Sequence, residues 1–284
     1  MTTTSSIGEL PRHLVEAAVR DALAEDLGLA GDLTSLATLP ADATATATMS
    51  AREAGIIAGL PLAAEAFRLL EFEPLVSDGA AIAKGGVVAR VSGNARALMG
   101  AERVALNFVN HLSGVATATR AFADALSGTR TRITDTRKTL PGLRAFQKYA
   151  VRCGGGSNHR YSLDDAILIK DNHIAVAGGV GKAFAAARAY AGHLVAIEIE
   201  VTSLAELEEA FEAGARIILL DNMDNAMLRR AVSYIDGRAV LEASGGVTLE
   251  RVRGIAETGV DFISTSQITM GARPLDLGLD VVIA

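Results

Sequence analysis

A regular succession of short apolar runs constrains the fold of this chain more than any other feature of its sequence. The last four runs begin at Val195, Ile217, Ala239 and Asp261, which is one run every 22 residues. Each run has the length and the β-branched content of a buried strand, and helical segments lie between the runs. Because strands that alternate with helices form parallel sheets with right-handed crossovers, we expect a β/α architecture.

Six such strands are predicted after Arg130, and a β/α barrel is their natural closed form, although six strands are fewer than a complete barrel has. The clearest helix between them is 203–214, with Ser203 as N-cap, Glu206 three residues later and Gly214 as its stop. The predicted strands are "RITD" (132–135), "AILIK" (166–170), "VAIEIE" (195–200), "IILLD" (217–221), "AVLEAS" (239–244) and "DFISTS" (261–266).

The first third of the chain has no repeating order of elements. A helix is predicted over 14–28, and alternating polar and apolar residues predict strands over 44–49 and 87–93. Over residues 98–126, apolar side chains recur every three or four positions. This spacing predicts one long helix, bent at Gly114, that links two domains.

The composition is that of a globular protein, because 50% of the 284 residues are hydrophobic and 21% are charged. A formal net charge of −6 argues against nucleic acid as a partner, since nucleic-acid binding needs a broad basic surface. The single cysteine, Cys153, excludes an internal disulfide framework and fits a reducing compartment. With no signal-peptide pattern and no apolar run of about 18 residues, we expect a cytoplasmic protein that does not enter the membrane.

One short segment departs from this acidic balance. Residues 136–160 carry six lysine and arginine side chains and no acidic side chain. Either these cations form one solvated helix face, or several of them converge on an anion. Arg144, Lys148 and Arg152 recur every four residues after Pro141, which is typical of a helix face, and the other three cations are candidates for an anion site.

Polar residues stand where the predicted strands end. In β/α barrels this edge, here called the mouth, carries the chemistry. A solvated surface does not predict cations, carboxylates and small hydroxyl groups in strand order at one edge, so we interpret these residues as a site. They are Arg137, Lys138, Lys170, Glu200, Asp221, Ser244, Gly245, Gly246, Ser264, Thr265 and Ser266.

Four cations of the chain suit an anionic ligand. Arg137 and Arg160 can grip carboxylates with their planar guanidinium groups. Lys138 and Lys170 would act as point charges beside them.

Two further groups of residues suit a phosphorylated sugar. Glu200 and Asp221 can hold ribose hydroxyls directly, or Mg²⁺ through water. The "SGG" of residues 244–246 stands between a strand and a helix. Backbone N–H groups and a helix N-terminus both favour an anion there, so this segment predicts a phosphate site.

Residues 136–174, "TRKTLPGLRAFQKYAVRCGGGSNHRYSLDDAILIKDNHI", resemble the signature of the quinolinate phosphoribosyltransferase family. The resemblance spans nearly the whole chain, and its central motif is long and specific. The supporting segments are "EDLGLAGDLTS" (25–35), "ERVALNFVNHLSGVAT" (102–117), "IEIEV" (197–201), "ILLDNM" (218–223) and "LEASGGV" (241–247).

The resemblance implies a fold and a reaction. The implied fold is α/β, of the type II phosphoribosyltransferase kind. An N-terminal α/β sandwich domain covers residues 1–112 and is joined by the tail 275–284, and a C-terminal incomplete β/α barrel covers 113–274. The implied reaction joins quinolinate to phosphoribosyl pyrophosphate with Mg²⁺ and gives nicotinate mononucleotide, pyrophosphate and CO₂. The family works as a homodimer or a larger homo-oligomer.

The resemblance also implies roles for individual residues. Arg103 would reach into the site of the neighbouring subunit. Lys138, Glu200 and Asp221 would be catalytic and address the pyrophosphate, the ribose and the metal ion, with Glu200 and Asp221 as metal ligands. The implied ligands of the quinolinate carboxylates are Arg137, His159, Arg160 and Lys170. The other implied substrate-binding residues are Thr136, and for the 5′-phosphate Ser244, Gly245, Gly246, Ser264, Thr265 and Ser266.

The chain departs from the family pattern at one place. Family members typically end the last strand with a glycine followed by "LTHS". This chain instead has "SQITMGARP" (266–274), with Met270 where that histidine would lie. A phosphate contact or an interface contact is therefore lost or rebuilt here.

Three other functions stay open at this point. Nicotinate carries one carboxylate, so the three cations Arg137, Arg160 and Lys170 favour the diacid. A molybdenum-associated relative shares "KTLPG", but the continuation "HRYSLDDAILIKDNH" with its Lys170 favours the transferase. A non-catalytic phosphate-binding barrel would not need the carboxylate pair Glu200 and Asp221.

Overall fold

The computed structural model describes residues 7–283, which form two compact units. Unit 1 comprises the described residues up to Arg120, together with Ala145–Gly155 and the residues from Ala272 onward. Unit 2 comprises Ala121–Arg144 and Gly156–Gly271. In chain order the elements are α1 (Arg12–Leu27), α2 (Leu33–Thr38), β1 (Thr44–Ala51), β2 (Gly55–Ile56), α3 (Leu60–Ala66), β3 (Glu71–Pro74), β4 (Ala81–Ile82), β5 (Val87–Asn94), α4 (Ala95–Ala125), β6 (Arg132–Thr134), α5 (Arg144–Cys153), β7 (Ile167–Ile169), α6 (Asp171–Ala177), α7 (Val180–Tyr190), β8 (Ile197–Val201), α8 (Leu204–Glu212), β9 (Ile217–Asp221), α9 (Asn225–Ile235), β10 (Val240–Ser244), α10 (Leu249–Ala256), β11 (Phe262–Ser264) and β12 (Leu277–Ile283).

Unit 1 is built on a four-stranded antiparallel sheet in the order β12-β1-β5-β3. Alternate residues of β1, such as Ala45 and Ala47, are buried, which confirms the strand predicted from its alternating sequence. The tail strand β12 runs antiparallel to β1, from Leu277 beside Ala51 to Ile283 beside Ala45. Together with its helices, this sheet gives unit 1 the α/β character that the sequence implies.

The long helix α4 is present as predicted, and it is continuous through Gly114. Gly114 therefore does not break the helix, and its role is to allow close packing. A β-carbon at Gly114 would lie 2.1 Å from the carbonyl oxygen of Arg273. Only glycine therefore allows the two backbone segments to approach each other this closely.

Helix α5 does not present its cations as a solvated face. Lys148 is fully buried, so the helix-face interpretation does not hold for this residue. From Ala145 onward the helix belongs to unit 1, whereas the predicted barrel domain, 113–274, includes it. Its contacts explain this. The Tyr149 hydroxyl donates to Asp78 Oδ2 at 2.7 Å, and Gln147 of the same helix bonds to a histidine of α4 at 3.0 Å.

Unit 2 is a parallel β/α structure, and all six predicted strands are present in it. The strands lie in the order β6-β11-β10-β9-β8-β7, and β9 has the predicted bounds Ile217–Asp221. The described sheet ends at β6 on one side and at β7 on the other, so the barrel is incomplete. This confirms the predicted fold class.

The helices of unit 2 follow the signals of the sequence. Ser203 is the N-cap of α8, and its side chain accepts the Glu206 N–H at 3.3 Å. Buried side chains such as Ile199, Ile218 and Leu220 form the core beside the strands. Among the described helices, none combines the length and the apolar character that crossing a membrane requires.

Candidate active site

The mouth of unit 2 is formed because parallel strands carry their carboxyl ends to one edge of the sheet. Ser244 of β10 pairs in register with Asp221 of β9, and Ser264 of β11 pairs with Thr134 of β6. The segments that follow these strands therefore start side by side. The structure brings the following predicted residues to this edge: Thr136, Arg137, Lys138, Lys170, Glu200, Asp221, Ser244, Gly245, Gly246, Ser264, Thr265 and Ser266.

Two arginines of the mouth have buried nitrogen atoms that protein groups leave unsatisfied. The Nε atoms of Arg137 and Arg160 are buried, and neither has a hydrogen-bond partner in the described part of the chain. Arg160 Nη1 donates to the carbonyl oxygen of Ala166 at 3.0 Å, which fixes the guanidinium group. Burial and the nearby charge of Arg137 lower the pKa of Arg160. Two cations close to each other with unsatisfied donors have the chemistry that suits an anion.

Lys170 and Glu200 form an ion pair at the ends of β7 and β8. Lys170 Nζ lies 2.6 Å from Glu200 Oε2, and the carboxylate is nearly buried while about half of the lysine side chain is exposed. The backbone of Lys170 is fixed as well, because His173 Nδ1 accepts its N–H at 2.9 Å. Two residues that the sequence assigned to different substrate groups are therefore direct neighbours.

The loop after β6 is anchored by its backbone and presents one exposed cation. Thr136 Oγ1 accepts the Lys138 N–H at 2.9 Å, and the Lys138 carbonyl accepts the hydroxyl of Thr269 at 2.9 Å. Arg144 Nε donates to Thr139 Oγ1 at 3.1 Å, so this cation stabilises the loop. The Lys138 side chain itself is exposed. Its ammonium group is therefore available to a ligand.

The loops after β9 and β10 interlock. Asn222, whose φ is 55°, donates its N–H to the Ser244 carbonyl at 2.9 Å and its Nδ2 to Asp221 Oδ2 at 2.7 Å. Gly245 and Gly246 follow with φ of 94° and 56°, which only glycine adopts readily. The "SGG" segment is therefore a tight left-handed turn packed on Asn222.

The three residues at the end of β11 differ in accessibility. Ser264 and Thr265 are buried; the Ser264 hydroxyl bonds to Glu242, and Thr265 Oγ1 donates to a backbone carbonyl at 3.4 Å. Ser266 is the more exposed of the three. Met270, where the chain departs from the family pattern, has 56% of its surface exposed.

The barrel interior also holds acidic residues that the sequence analysis did not identify. Asp135 accepts the backbone N–H of His159 at 3.0 Å. His159, Glu198 and Glu242 each offer one potential metal-ligating atom, and these atoms lie within 4.8 Å of one another. A signal was present in the sequence, because Glu198 stands two residues before Glu200 and alternate residues of a strand face the same side.

The remaining predicted residue, Arg103, lies on α4 within unit 1. Its side chain is 63% exposed, and the carboxylate of Glu102 lies 4.0 Å away. The guanidinium group is therefore accessible at the surface of that unit.

Two family models match the chain over most of its length. The model described as "Quinolinate phosphoribosyl transferase, C-terminal domain" matches residues 115–280. The corresponding N-terminal domain model matches residues 32–113. The boundary between the two matches lies within α4.

Individual proteins are similar to this chain over the same length. A nicotinate-nucleotide pyrophosphorylase [carboxylating] of Mycobacterium leprae is 46% identical over 272 residues, which cover 93% of this chain and 95% of that protein. A probable enzyme of the same name from Bacillus subtilis is 43% identical over 92% of this chain and 91% of its own. The crystal structure of NadC from Streptococcus pyogenes superposes with a TM-score of 0.94 at 39% identity and covers 98% of this chain and 99% of that one.

Proposed function

Because this chain belongs to the quinolinate phosphoribosyltransferase family, we propose that the mouth of its barrel is where it joins quinolinate to phosphoribosyl pyrophosphate. The reaction gives nicotinate mononucleotide, pyrophosphate and CO₂ and belongs to de novo NAD biosynthesis. The chain is thus an enzyme, a nicotinate-nucleotide pyrophosphorylase of the carboxylating type. The single cysteine, which is buried, supports a cytoplasmic location.

The pair Arg137 and Arg160 is the observation that carries the assignment of quinolinate to the mouth. Burial and then the charge of Arg137 lower the pKa of Arg160, and each arginine has a buried Nε without a protein partner in the described residues. A ligand with two carboxylates satisfies both donors and offsets both charges. A monoacid such as nicotinate offers one carboxylate for two guanidinium groups, so the pair favours the diacid.

The other charged residues of the mouth suit the transfer step. The pyridine nitrogen of quinolinate attacks C1 of the ribose while the bond from C1 to the pyrophosphate oxygen breaks. The exposed Lys138 would offset the charge that develops on the departing pyrophosphate. Glu200 or Asp221 would stabilise the positive charge that develops on the ribose. The C2 carboxylate then leaves as CO₂, because the new pyridinium accepts the electron pair, and C2 takes a proton from solvent.

Mg²⁺ fits the carboxylates of the mouth as part of this proposal. Glu200 and Asp221 supply the hard oxygen ligands that this ion prefers, directly or through water. The ion would neutralise charge on the pyrophosphate. The ammonium of Lys170, 2.6 Å from Glu200 Oε2, offsets part of the charge of that carboxylate.

The glycine turn after β10 suits the 5′-phosphate. Gly245 and Gly246 bring backbone close to the mouth without side chains, and helix α10 begins a few residues later at Leu249. Backbone N–H groups and the helix N-terminus favour a phosphate there. Ser244 and Ser266, which are both partly exposed, can add hydroxyl donors.

A second copy of the chain is the partner that this proposal requires. In unit 1 the large side chains of Leu29, Leu33, Leu36 and Leu69 are exposed. Exposed apolar side chains in one unit support an interface with another subunit. Arg103 is accessible on the same unit and would supply its guanidinium group to the neighbouring site.

Turnover of alternative acids tests the proposal. The purified protein is incubated with phosphoribosyl pyrophosphate and Mg²⁺, with quinolinate or nicotinate in parallel, and mononucleotide and CO₂ are measured. We expect mononucleotide and an equal amount of CO₂ with quinolinate, and no mononucleotide with nicotinate. Lys170→Ala should abolish the reaction, while the exposed Glu208→Gln on the outside of the barrel should not.

Two results would contradict the proposal. Product from nicotinate alone would mean that the paired arginines serve another acid. A folded protein that binds phosphoribosyl pyrophosphate but gives no product with either acid would point to a different acceptor or to a non-catalytic barrel.

A further inference from the structure

The interior of the barrel contains buried acidic side chains. Asp135, Glu198 and Glu242 are 0%, 7% and 6% exposed. Glu198 and Glu242 lie within β8 and β10, and Asp135 directly follows β6. Buried carboxylates are costly unless they have partners. Oε1 of Glu198 and Oε1 of Glu242 are both buried and have no hydrogen-bond partner in the described part of the chain. A cluster that is this costly calls for a role other than core packing.

The common neighbour of these carboxylates is the ring of His159. Its Nε2 lies 2.8 Å from Glu198 Oε2 and 3.9 Å from Glu242 Oε1. Its Nδ1 accepts the backbone N–H of Arg160 at 2.7 Å. Because a backbone N–H can only donate, Nδ1 is an acceptor and the ring proton lies on Nε2, where it is donated to Glu198.

This hydrogen bonding connects the barrel interior to an anion-binding arginine. Glu198 fixes the ring, the ring holds the backbone of Arg160, and Asp135 holds the backbone of His159 at 3.0 Å. The negative charge of Glu198 also favours the charged form of the Arg160 guanidinium group through their direct electrostatic attraction. The segment 158–160 is thus supported from inside the barrel by carboxylates.

We propose that Glu198 is a positioning residue, which holds the His159 ring in its Nε2–H form and thereby aims Arg160 at the quinolinate carboxylates. The inference rests on the proposed function for the identity of that diacid. It assigns His159 an indirect role, since both ring nitrogens are engaged by protein atoms.

The two glutamates contribute unequally. Glu198 accepts the ring proton at 2.8 Å, and this bond needs a carboxylate charge to be strong. Glu242 stands 3.9 Å from the ring, and burial together with repulsion from Glu198 raises its pKa to about 7. Its protonated form resembles a glutamine in shape and charge. The carboxylate of Glu198 is therefore the essential member of the pair.

Steady-state kinetics of two isosteric variants test the proposal. For Glu198→Gln we expect the KM for quinolinate to rise about tenfold, the difference between a charged and a neutral hydrogen bond, with the KM for phosphoribosyl pyrophosphate within about twofold of its original value. For Glu242→Gln we expect both KM values to stay within about twofold. Glu208→Gln makes the same change on an exposed surface of unit 2 and should leave both unchanged.

A measurement that does not depend on turnover accompanies the kinetics. The ¹⁵N shifts of labelled histidine report the tautomer of each of the five rings, and His159→Gln assigns the signal. We expect a fixed Nε2–H form at His159 that becomes a tautomer mixture in Glu198→Gln.

The outcomes separate this inference from the proposed function. An active enzyme in which Glu198→Gln leaves the KM for quinolinate unchanged, or raises both KM values equally, would overturn the positioning role. An Nδ1–H tautomer in the unmodified protein would overturn it as well. Failure of the unmodified protein to use quinolinate would instead contradict the proposed function, and the tautomer would still decide whether Glu198 fixes the ring.

Discussion

At the scale of single residues, Arg160 combines more constraints than any other cation of the mouth. One arm of its guanidinium group is bonded to Ala166 O, its Nε is buried without a partner in the described residues, and its backbone is held by His159. A planar group fixed in this way presents donors in a defined direction. Lysine cannot reproduce that geometry, because its ammonium group is a single point charge.

Arg160→Lys should therefore impair recognition of the diacid although the charge is kept. We expect kcat/KM for quinolinate to fall on the order of 100-fold, corresponding to about 2–3 kcal/mol for a charged hydrogen bond left unmade. The KM for phosphoribosyl pyrophosphate should change little. Initial rates at varied concentrations of each substrate measure both effects, with the exposed Arg230→Lys as control. An unchanged kcat/KM would show that recognition of quinolinate does not depend on the planar guanidinium group of Arg160.

At the scale of elements, the turn after β10 is the most tightly determined part of the site. Gly245 has a φ of 94°, and a β-carbon there would lie 2.2 Å from Asn222 Oδ1. Gly237, after α9, also has a positive φ of 72°, but a β-carbon there would meet nothing within 4 Å. An alanine would be strained by the positive φ at either position. Only at Gly245 would its β-carbon also collide with Asn222.

Gly245→Ala should displace Asn222 and the turn together. We expect a loss of stability of more than the roughly 1–2 kcal/mol that left-handed strain costs, and a KM for phosphoribosyl pyrophosphate raised about tenfold or more. Gly237→Ala should show the strain alone, with its KM values unchanged. Thermal unfolding and initial rates compare the two variants. If Gly245→Ala and Gly237→Ala have the same KM for phosphoribosyl pyrophosphate, the turn does not take part in phosphate binding.

The elements themselves could largely be predicted from sequence, because hydrophobic period and capping are local properties. All six strands of unit 2 and the N-cap at Ser203 follow from such signals. Contacts between distant residues could not be predicted. The strand ends identified Lys170 and Glu200, but their ion pair depends on side-chain conformation, and the burial of Lys148 depends on the packing of unit 1. The interior position of Glu198 contradicts the apolar core that strand patterns suggest.

At the scale of the whole molecule, the proposed function predicts a site that residues of two chains complete together. The barrel residues of the mouth all belong to unit 2, whereas Arg103 lies in unit 1 and is exposed. If Arg103 serves a neighbouring subunit, two different inactive chains can restore one complete site between them.

Mixing two inactive variants tests this arrangement. Arg103→Ala and Lys170→Ala subunits, unfolded together and refolded, should recover about a quarter of the original activity, since half of the random dimers carry one intact site. Arg137→Ala mixed with Lys170→Ala should recover none, because both residues belong to the same barrel. Mononucleotide formation at constant total protein measures the recovery. No recovery in the first mixture would place Arg103 in the site of its own chain.

The pairing of β6 with β11 has a consequence for synthesis of the protein on the ribosome. Arg132 of β6 lies in register with Phe262 of β11, so the two strands are 130 residues apart in the chain. At the usual rate of translation, β11 is synthesised roughly ten seconds after β6 and the cationic loop that follows β6. During that interval the nascent chain exposes an unpaired strand edge next to a cluster of positive charges. The substrate site is therefore among the last parts of the protein to come into existence, and a chain whose translation stops before Phe262 has an exposed edge instead of a site.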